Sequence, residues 1–310
     1  MKVGSCRYIA LLLGAWWLAT GCGGPAEKPG QAGRLRVTCT TGMVADLARH
    51  VGGERVEVDC LMGPGVDPHY YKASQGDLER LSGAGVIFYN GLFLEGKMQD
   101  IFGKMAREKR VVPVAGELPH ALLRKPPEFD GHFDPHVWFD VSLWRQTIPV
   151  VVAALAAADP GGAGEYQQRG AAYAARLDTL HQWVQQELAA IPAPQRILVT
   201  AHDAFGYFGR AYGVEVVGLQ GVSTVAEYGV NDVNRMVDLI VGRQLKAIFV
   251  ESSVPQRSIN AVREGCQGRG HQVQIGGTLY SDAMGEPGSG ADTYEGMVRA
   301  NVYTIVTALK

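Results

Sequence analysis

The chain has 310 residues, 46% of them apolar, which is enough to build two hydrophobic cores rather than one. Its net charge of −2 arises from 29 basic and 31 acidic residues with no basic block, which argues against a nucleic-acid binder. A globular protein without a nucleic-acid partner is expected.

Residues 1–21 carry Lys2 and Arg7, then the apolar run from Ile9 to Leu18, then Ala19, Thr20 and Gly21, the order of a secretory signal peptide. The apolar run is about 10 residues, half of the ~20 that a membrane-spanning helix requires. Cys22 follows directly, as in a bacterial lipobox, although Ala19 stands where such boxes usually carry Leu. The expectation is an exported protein anchored to the membrane by lipid on Cys22. Residues 22–34, rich in Gly and Pro, read as its flexible tether. Of the five cysteines, Cys6 leaves with the signal and Cys22 takes the lipid, so Cys39, Cys60 and Cys266 remain in the fold. Cys39 and Cys60 lie in two apolar runs that read as neighbouring strands, either as a disulfide or as buried thiols.

From Leu35 strands and helices alternate. RLRVTC reads as a strand, GMVADLARHVGG as a helix closed by glycines, and Val56 to Met62 as a second strand. Ser74 is placed to cap a short helix containing Leu78 and Leu81. Val86 to Tyr89 and Val111 to Val114 read as further strands around a helix near Glu95 to Arg107. The second half repeats the scheme with ILVT at 197–200, VEVV at 214–217, AIFV at 247–250 and QVQI at 272–275. Such alternation predicts two α/β lobes with parallel sheets, 35–162 and 192–310.

Between them, Tyr166, Tyr173, Leu177, Leu180, Val184, Leu188 and Ile191 recur at helical spacing, fenced by Pro160 before and by Pro192 and Pro194 after. This predicts one connecting helix over 163–191. About 27 residues at 1.5 Å rise would span roughly 40 Å, a stiff link along both lobes. Its aromatic and leucine stripe reads as core packing.

The tripeptide Asp-Pro-His occurs twice, at 67–69 and 134–136, in a chain with eight histidines. Proline fixes its own φ and pushes the preceding residue to extended geometry, so each copy presents its histidine at a defined place. His202, in ILVTAHDAFGYF, comes just after a strand, where open α/β sheets bind their ligands. QVQIGGTL leads likewise into Tyr280, Ser281 and Asp282. His50, His181 and His271 sit on helix faces or ends and read as structural.

VDPHYY, HFDPHVWFD, VTAHDAFGYFGRAYG, IFVESSVPQRSI and YSDAMG resemble the TroA-like solute-binding lipoproteins of bacterial zinc and manganese ABC importers, over essentially the whole chain after the tether. The resemblance implies two Rossmann-like lobes joined by one rigid helix, with one Zn2+ or Mn2+ ion between them. It implies His69 and His136 as ligands from the first lobe, and His202 and Asp282 from the second. It further implies a monomer that delivers metal to an ABC permease. Zinc-specific members often carry a long His- and acid-rich loop before the second ligand. Here Glu117 to Phe133 holds only His120 and His132, which favours a zinc/manganese carrier with His132 as a transient capture point.

Three imidazoles and a carboxylate form a set that zinc accepts in four-coordinate geometry. Asp67, Asp134, Asp140, Asp203 and Glu251 are candidates to hold the outer ring nitrogens, with Glu251 facing the cleft; Asp67 and Asp134 serve equally as turn caps. A zinc hydrolase is the rival of another class, but the sequence has no His-Glu-x-x-His helix, Gly-x-Ser-x-Gly elbow or GxxxxGK loop, and no catalytic residue is assigned. An adhesin with a structural metal is the second rival.

Overall fold

The computed structural model describes Met1 and residues 33–310. The expected signal segment, Cys22 and nearly all of the tether lie outside the described residues. The first half contains β1 (Leu35–Cys39), α1 (Gly42–Gly52), β2 (Val56–Cys60), α2 (Gln75–Gly83), β3 (Val86–Tyr89), α3 (Gln99–Met105) and β4 (Arg110–Pro113). The helical segments α4 (Val141–Trp144) and α5 (Ile148–Ala158) lead to the long α6 (Ala163–Ala189). The second half contains β5 (Ile197–His202), α7 (Gly206–Tyr212), β6 (Glu215–Gln220), α8 (Val230–Gly242), β7 (Ala247–Glu251), α9 (Arg257–Gly268), β8 (Gln274–Leu279) and α10 (Tyr294–Leu309).

The first sheet is parallel throughout, in the order β2-β1-β3-β4. In the second half β5 pairs with β6 and β7 with β8, again parallel, and β5 runs beside β7. The strand order thus reverses direction between β1 and β3 and again between β5 and β7. Crevices at the carboxyl ends of strands flanking such a switch are where α/β folds bind ligands.

Period-2 alternation in the strands feeds three layers of apolar packing. Val86 and Phe88 point into a central core while Ile87, between them, joins an outer cluster with Leu81 and Phe102. Ala247 and Phe249 likewise face the centre, and Ile248 and Val250 pack outward with Met236 and Ile259. The central core is continuous across both halves, running from Val37 and Trp138 to Phe205 and Tyr294.

α6 buries Tyr166, Gly170, Tyr173, Leu177, Leu180, Val184 and Leu188, the predicted stripe with one glycine added and without Ile191, which is buried just past the helix end because α6 stops at Ala189, two residues short of the predicted limit. Gly170 is required by a close approach, because a Cβ there would stand 2.7 Å from Val152 Cγ2 on α5. α5 is apolar on every face, so it shows no helical stripe in the sequence; with Trp144 just before it, it packs inward through Ile148, Val151 and Leu155. The Ser74 cap forms as expected, with Asp77 completing a reciprocal capping box. Cys39 and Cys60 are register partners on β1 and β2 and are free thiols, as is Cys266. Cys60 Sγ donates to the Met62 carbonyl at 3.2 Å.

Leu177 lies at the middle of α6 and is fully buried. Leu177→Ala should lower unfolding free energy by about 2–5 kcal/mol. Urea unfolding measures this, and the number of metal ions bound per chain at 25 °C should not change.

Candidate metal centre

Each Asp-Pro-His tripeptide closes on itself in the same way. The Asp67 carboxylate accepts from the His69 backbone N–H at 2.9 Å, and the Asp134 carboxylate accepts from that of His136 at 3.0 Å. An aspartate bonding the N–H two residues on is an Asx turn, and proline between them stiffens it. Asn90, at the carboxyl end of β3, donates to the Pro135 carbonyl at 3.0 Å and so ties the second turn to the sheet. Asn90's own backbone is held by Glu95, a fully buried carboxylate that also accepts from Thr40 Oγ1 at 2.7 Å.

His202 is the last residue of β5 rather than part of the following turn, because the strand runs two residues further than its apolar run and pairs His202 with Gln220. Its backbone N–H donates to Glu251 Oε1 at 2.9 Å, across the crevice between β5 and β7. Asp282 follows β8, beside Ser281, whose carbonyl accepts from Trp138 Nε1 at 3.1 Å.

These turns bring His69, His136, His202 and Asp282 together, with one donor atom from each lying within 4.8 Å of the others. His69 Nε2 stands 3.3 Å from His136 Nε2. The Asp282 oxygens lie 3.3 Å from His136 Nε2, 3.3 Å from His202 Nε2 and 3.9 Å from His69 Nε2. Ligands bonded at ~2.0–2.1 Å around a tetrahedral ion are roughly 3.3–3.4 Å apart, so the spacing suits one small cation. All four side chains are buried, and within the described residues the Asp282 oxygens and His202 Nε2 have no hydrogen-bond partner. Buried polar atoms without partners are costly, and a shared cation would satisfy them together.

Carboxylates lie against the outer ring nitrogens of two of the three histidines. Asp134 Oδ1 lies 2.8 Å from His136 Nδ1, and Glu251 Oε2 lies 2.6 Å from His202 Nδ1. Such contacts turn Nε2 toward the centre and raise ligand basicity. Asp134 therefore serves both of its predicted roles, turn cap and ring partner. Asp67 caps its turn but gives its second oxygen to Thr224 Oγ1, 2.7 Å away on the opposite half. Asp203 pairs instead with Arg124, and Asp140 caps α4 through Ser142 and Leu143.

Burial acts against charge on every histidine, and the neighbours decide the outcome. Burial and the two nearby imidazoles push His69 down to about 3, with Asp282 opposing. For His136, burial is outweighed by the carboxylates of Asp134 and Asp282, which push it up to about 9. His202 is raised well above the usual imidazole range as Glu251 and Asp282 overcome burial. Asp282 is held well below the carboxylate range by His202 and His136 despite burial.

The remaining histidines lie elsewhere. His50 stacks on Tyr173, His181 contacts Tyr212 and His271 contacts the Leu245 carbonyl. His132 stacks on Phe93 and His120 packs against Phe133. Sequence reasoning missed Arg124, which pairs with Asp134 and reaches Asp203 at 3.5 Å, and Tyr207, which donates to the Asp134 carbonyl at 2.8 Å. Their partners come from distant parts of the chain, and no local motif marks them.

Residues 37–308 match the family described as ZnuA, zinc-uptake complex component A, periplasmic. The manganese-binding lipoprotein MntA of Bacillus subtilis is 48% identical over 303 residues, covering 97% of this chain and 98% of MntA. The zinc-binding protein TroA of Treponema pallidum is 47% identical over 277 residues, 89% of each chain. The solved structure of the periplasmic zinc-binding TroA from Treponema pallidum superposes with a TM-score of 0.87, covering 89% of this chain and 99% of that one. A profile match over almost the whole described chain, two close relatives and a shared fold together make this protein a member of the ZnuA family.

Proposed function

We propose that this protein binds one divalent transition-metal ion, Zn2+ or Mn2+, outside the inner membrane and passes it to the permease of an ABC importer. His69, His136, His202 and Asp282 are its ligands. The observation that carries this reading is their convergence on one buried point, with all four donor atoms within 4.8 Å of one another and three of the contacts at 3.3 Å. The similarity to a manganese-binding and a zinc-binding protein supports the same pair of ions. The ion is cargo, and the chain is not an enzyme. Four protein donors fill a tetrahedral sphere, whereas a hydrolytic zinc site keeps one position for water.

Cys22 is the lipid anchor in this reading, and the lobes are 35–162 and 192–310. In this reading residues 22–34 link the lipid to the body and keep it at the membrane beside a neighbouring permease.

His202→Ala or His69→Ala should abolish tight binding in isothermal titration with Zn2+, while His50→Ala should bind as wild type. Unchanged stoichiometry and affinity in both ligand variants would refute the assignment.

Imidazoles must shed their protons to ligate, so affinity should fall as pH falls. His136 and His202 are the two that hold protons near neutrality, whereas His69 is already neutral. The logarithm of affinity should therefore fall by about two per pH unit between about pH 7.5 and 5.5. Titrations in buffers of different ionisation enthalpy count the released protons directly. A flat profile would mean that histidines do not ligate.

Cys22→Ser should move the protein from the membrane to the soluble extracytoplasmic fraction with its metal affinity unchanged. Fractionation that leaves the variant on the membrane would refute the anchor.

A further inference from the structure

None of the four donors is more than 3% exposed, so an ion reaches them only when something moves. Trp138 and Phe205 are fully buried against the donor loops, and Arg124 bridges Asp134 to Asp203 across the two halves.

One side is thin. A cavity of about 550 Å3 lies between the halves, lined by Asp67 and Tyr70 from the first and by Gln220, Thr224, Tyr228 and Arg257, among others, from the second. Its walls share residues with the donor loops. Asp67 holds the turn of His69, and Ser253, also on the wall, bonds Ser281 Oγ at 2.8 Å, next to Asp282. At ~30 Å3 per water, this volume admits a hydrated cation.

Among the described residues a single hydrogen bond crosses that side. Asp67 uses Oδ1 for the His69 backbone and Oδ2 to accept from Thr224 Oγ1 at 2.7 Å, joining residues 157 apart in sequence. Thr224 sits in the loop that follows Gln220, the register partner of His202 on β6. Gln220 Nε2 donates to the carbonyls of Thr224 at 3.4 Å and Ala226 at 3.1 Å, which sets the loop's shape. One carboxylate thus couples the loop of a first-half ligand to the loop beside a second-half ligand.

The geometry points to this cavity as the route by which metal reaches and leaves the donor set, with the Thr224–Asp67 hydrogen bond as the latch across it. The inference rests on the metal-binding reading of the site. Releasing the latch frees the 220s loop from the turn that carries His69 and thins the wall without disturbing any ligand.

The test is stopped-flow loading of the full-length protein with Zn2+ and removal of the metal by excess chelator. Thr224→Val keeps the side-chain shape and removes the hydroxyl. Its rate of metal loss should rise about tenfold, the size of one hydrogen bond to a charged acceptor, and Thr224→Ser should restore the wild-type rate. Arg257→Trp, at an exposed position on the cavity wall, should slow loading and loss by the same factor and leave the equilibrium affinity unchanged. Tyr303→Trp, 74% exposed on α10 and outside the cavity lining, should change neither rate. Unchanged rates in Thr224→Val and Arg257→Trp, in a wild-type protein that does bind Zn2+, would overturn the route alone. A wild-type protein that binds no Zn2+ would overturn both the route and the metal-binding reading beneath it.

Discussion

The rest of the structure is organised around a buried concentration of negative charge that only a cation can balance. Asp282 stands at the centre of the donor set, while Asp134 and Glu251 press on the outer nitrogens of two histidines. Arg124 offsets one of these carboxylates. A divalent ion held by three neutral imidazoles and Asp282 would compensate the other two. Taking such charges out of water is expensive unless each is paired, so an ion at this point stabilises the arrangement of loops as well as the ligands themselves. Without the ion, protons on His136 and His202 take over part of that role, which is why both are held above the usual imidazole range.

The carboxylates also explain why the same tripeptide is used twice with different results. Both copies make the same Asx turn, so each histidine arrives with its backbone already fixed. The free oxygen then differs in use. Asp134 engages Arg124 and, with its capping oxygen, the ring of its own histidine, giving a donor locked from behind. Asp67 reaches across to Thr224, and its histidine has no carboxylate on the ring. His69 is accordingly the donor that stays neutral on its own, pushed down by burial and by its neighbours.

Much of this was legible in the sequence because it is local. Strand alternation, the stripe of α6, the Ser74 cap and the stiff Asp-Pro-His turns all follow from residues within a few positions of one another. The sequence pointed to His202 and Asp282 through their places after strands and to His69 and His136 through the repeated Asp-Pro-His, and the resemblance then grouped them. Less of it was visible where the partner is remote. Arg124, Tyr207 and Thr224 act through residues tens of positions away, and α5, apolar on every face, gives no periodic signal. The limit of His202's strand was missed for a related reason. Ala201 and His202 extend β5 because His202 is buried, pairs with Gln220 on β6 and is held by Glu251, a tertiary fact that apolar runs do not encode.

The shared core bears on how a carrier of this shape can release its cargo. In a protein whose halves meet through a flexible hinge, opening exposes only a polar cleft. Here the central core passes from Trp138 to Phe205 and Tyr294 without a break, and Tyr294 Oη donates to the Trp138 carbonyl at 2.6 Å. α6 lies along both halves as one unbroken 27-residue helix. Swinging the halves apart would expose that aromatic contact at about 25 cal/mol for each Å2 of apolar surface, several kcal/mol for even a modest opening. Rearranging a surface loop breaks one or two hydrogen bonds and exposes little apolar area. The packing therefore makes rearrangement of the loops that carry the candidate ligands less costly than separation of the halves joined by α6 and the central core.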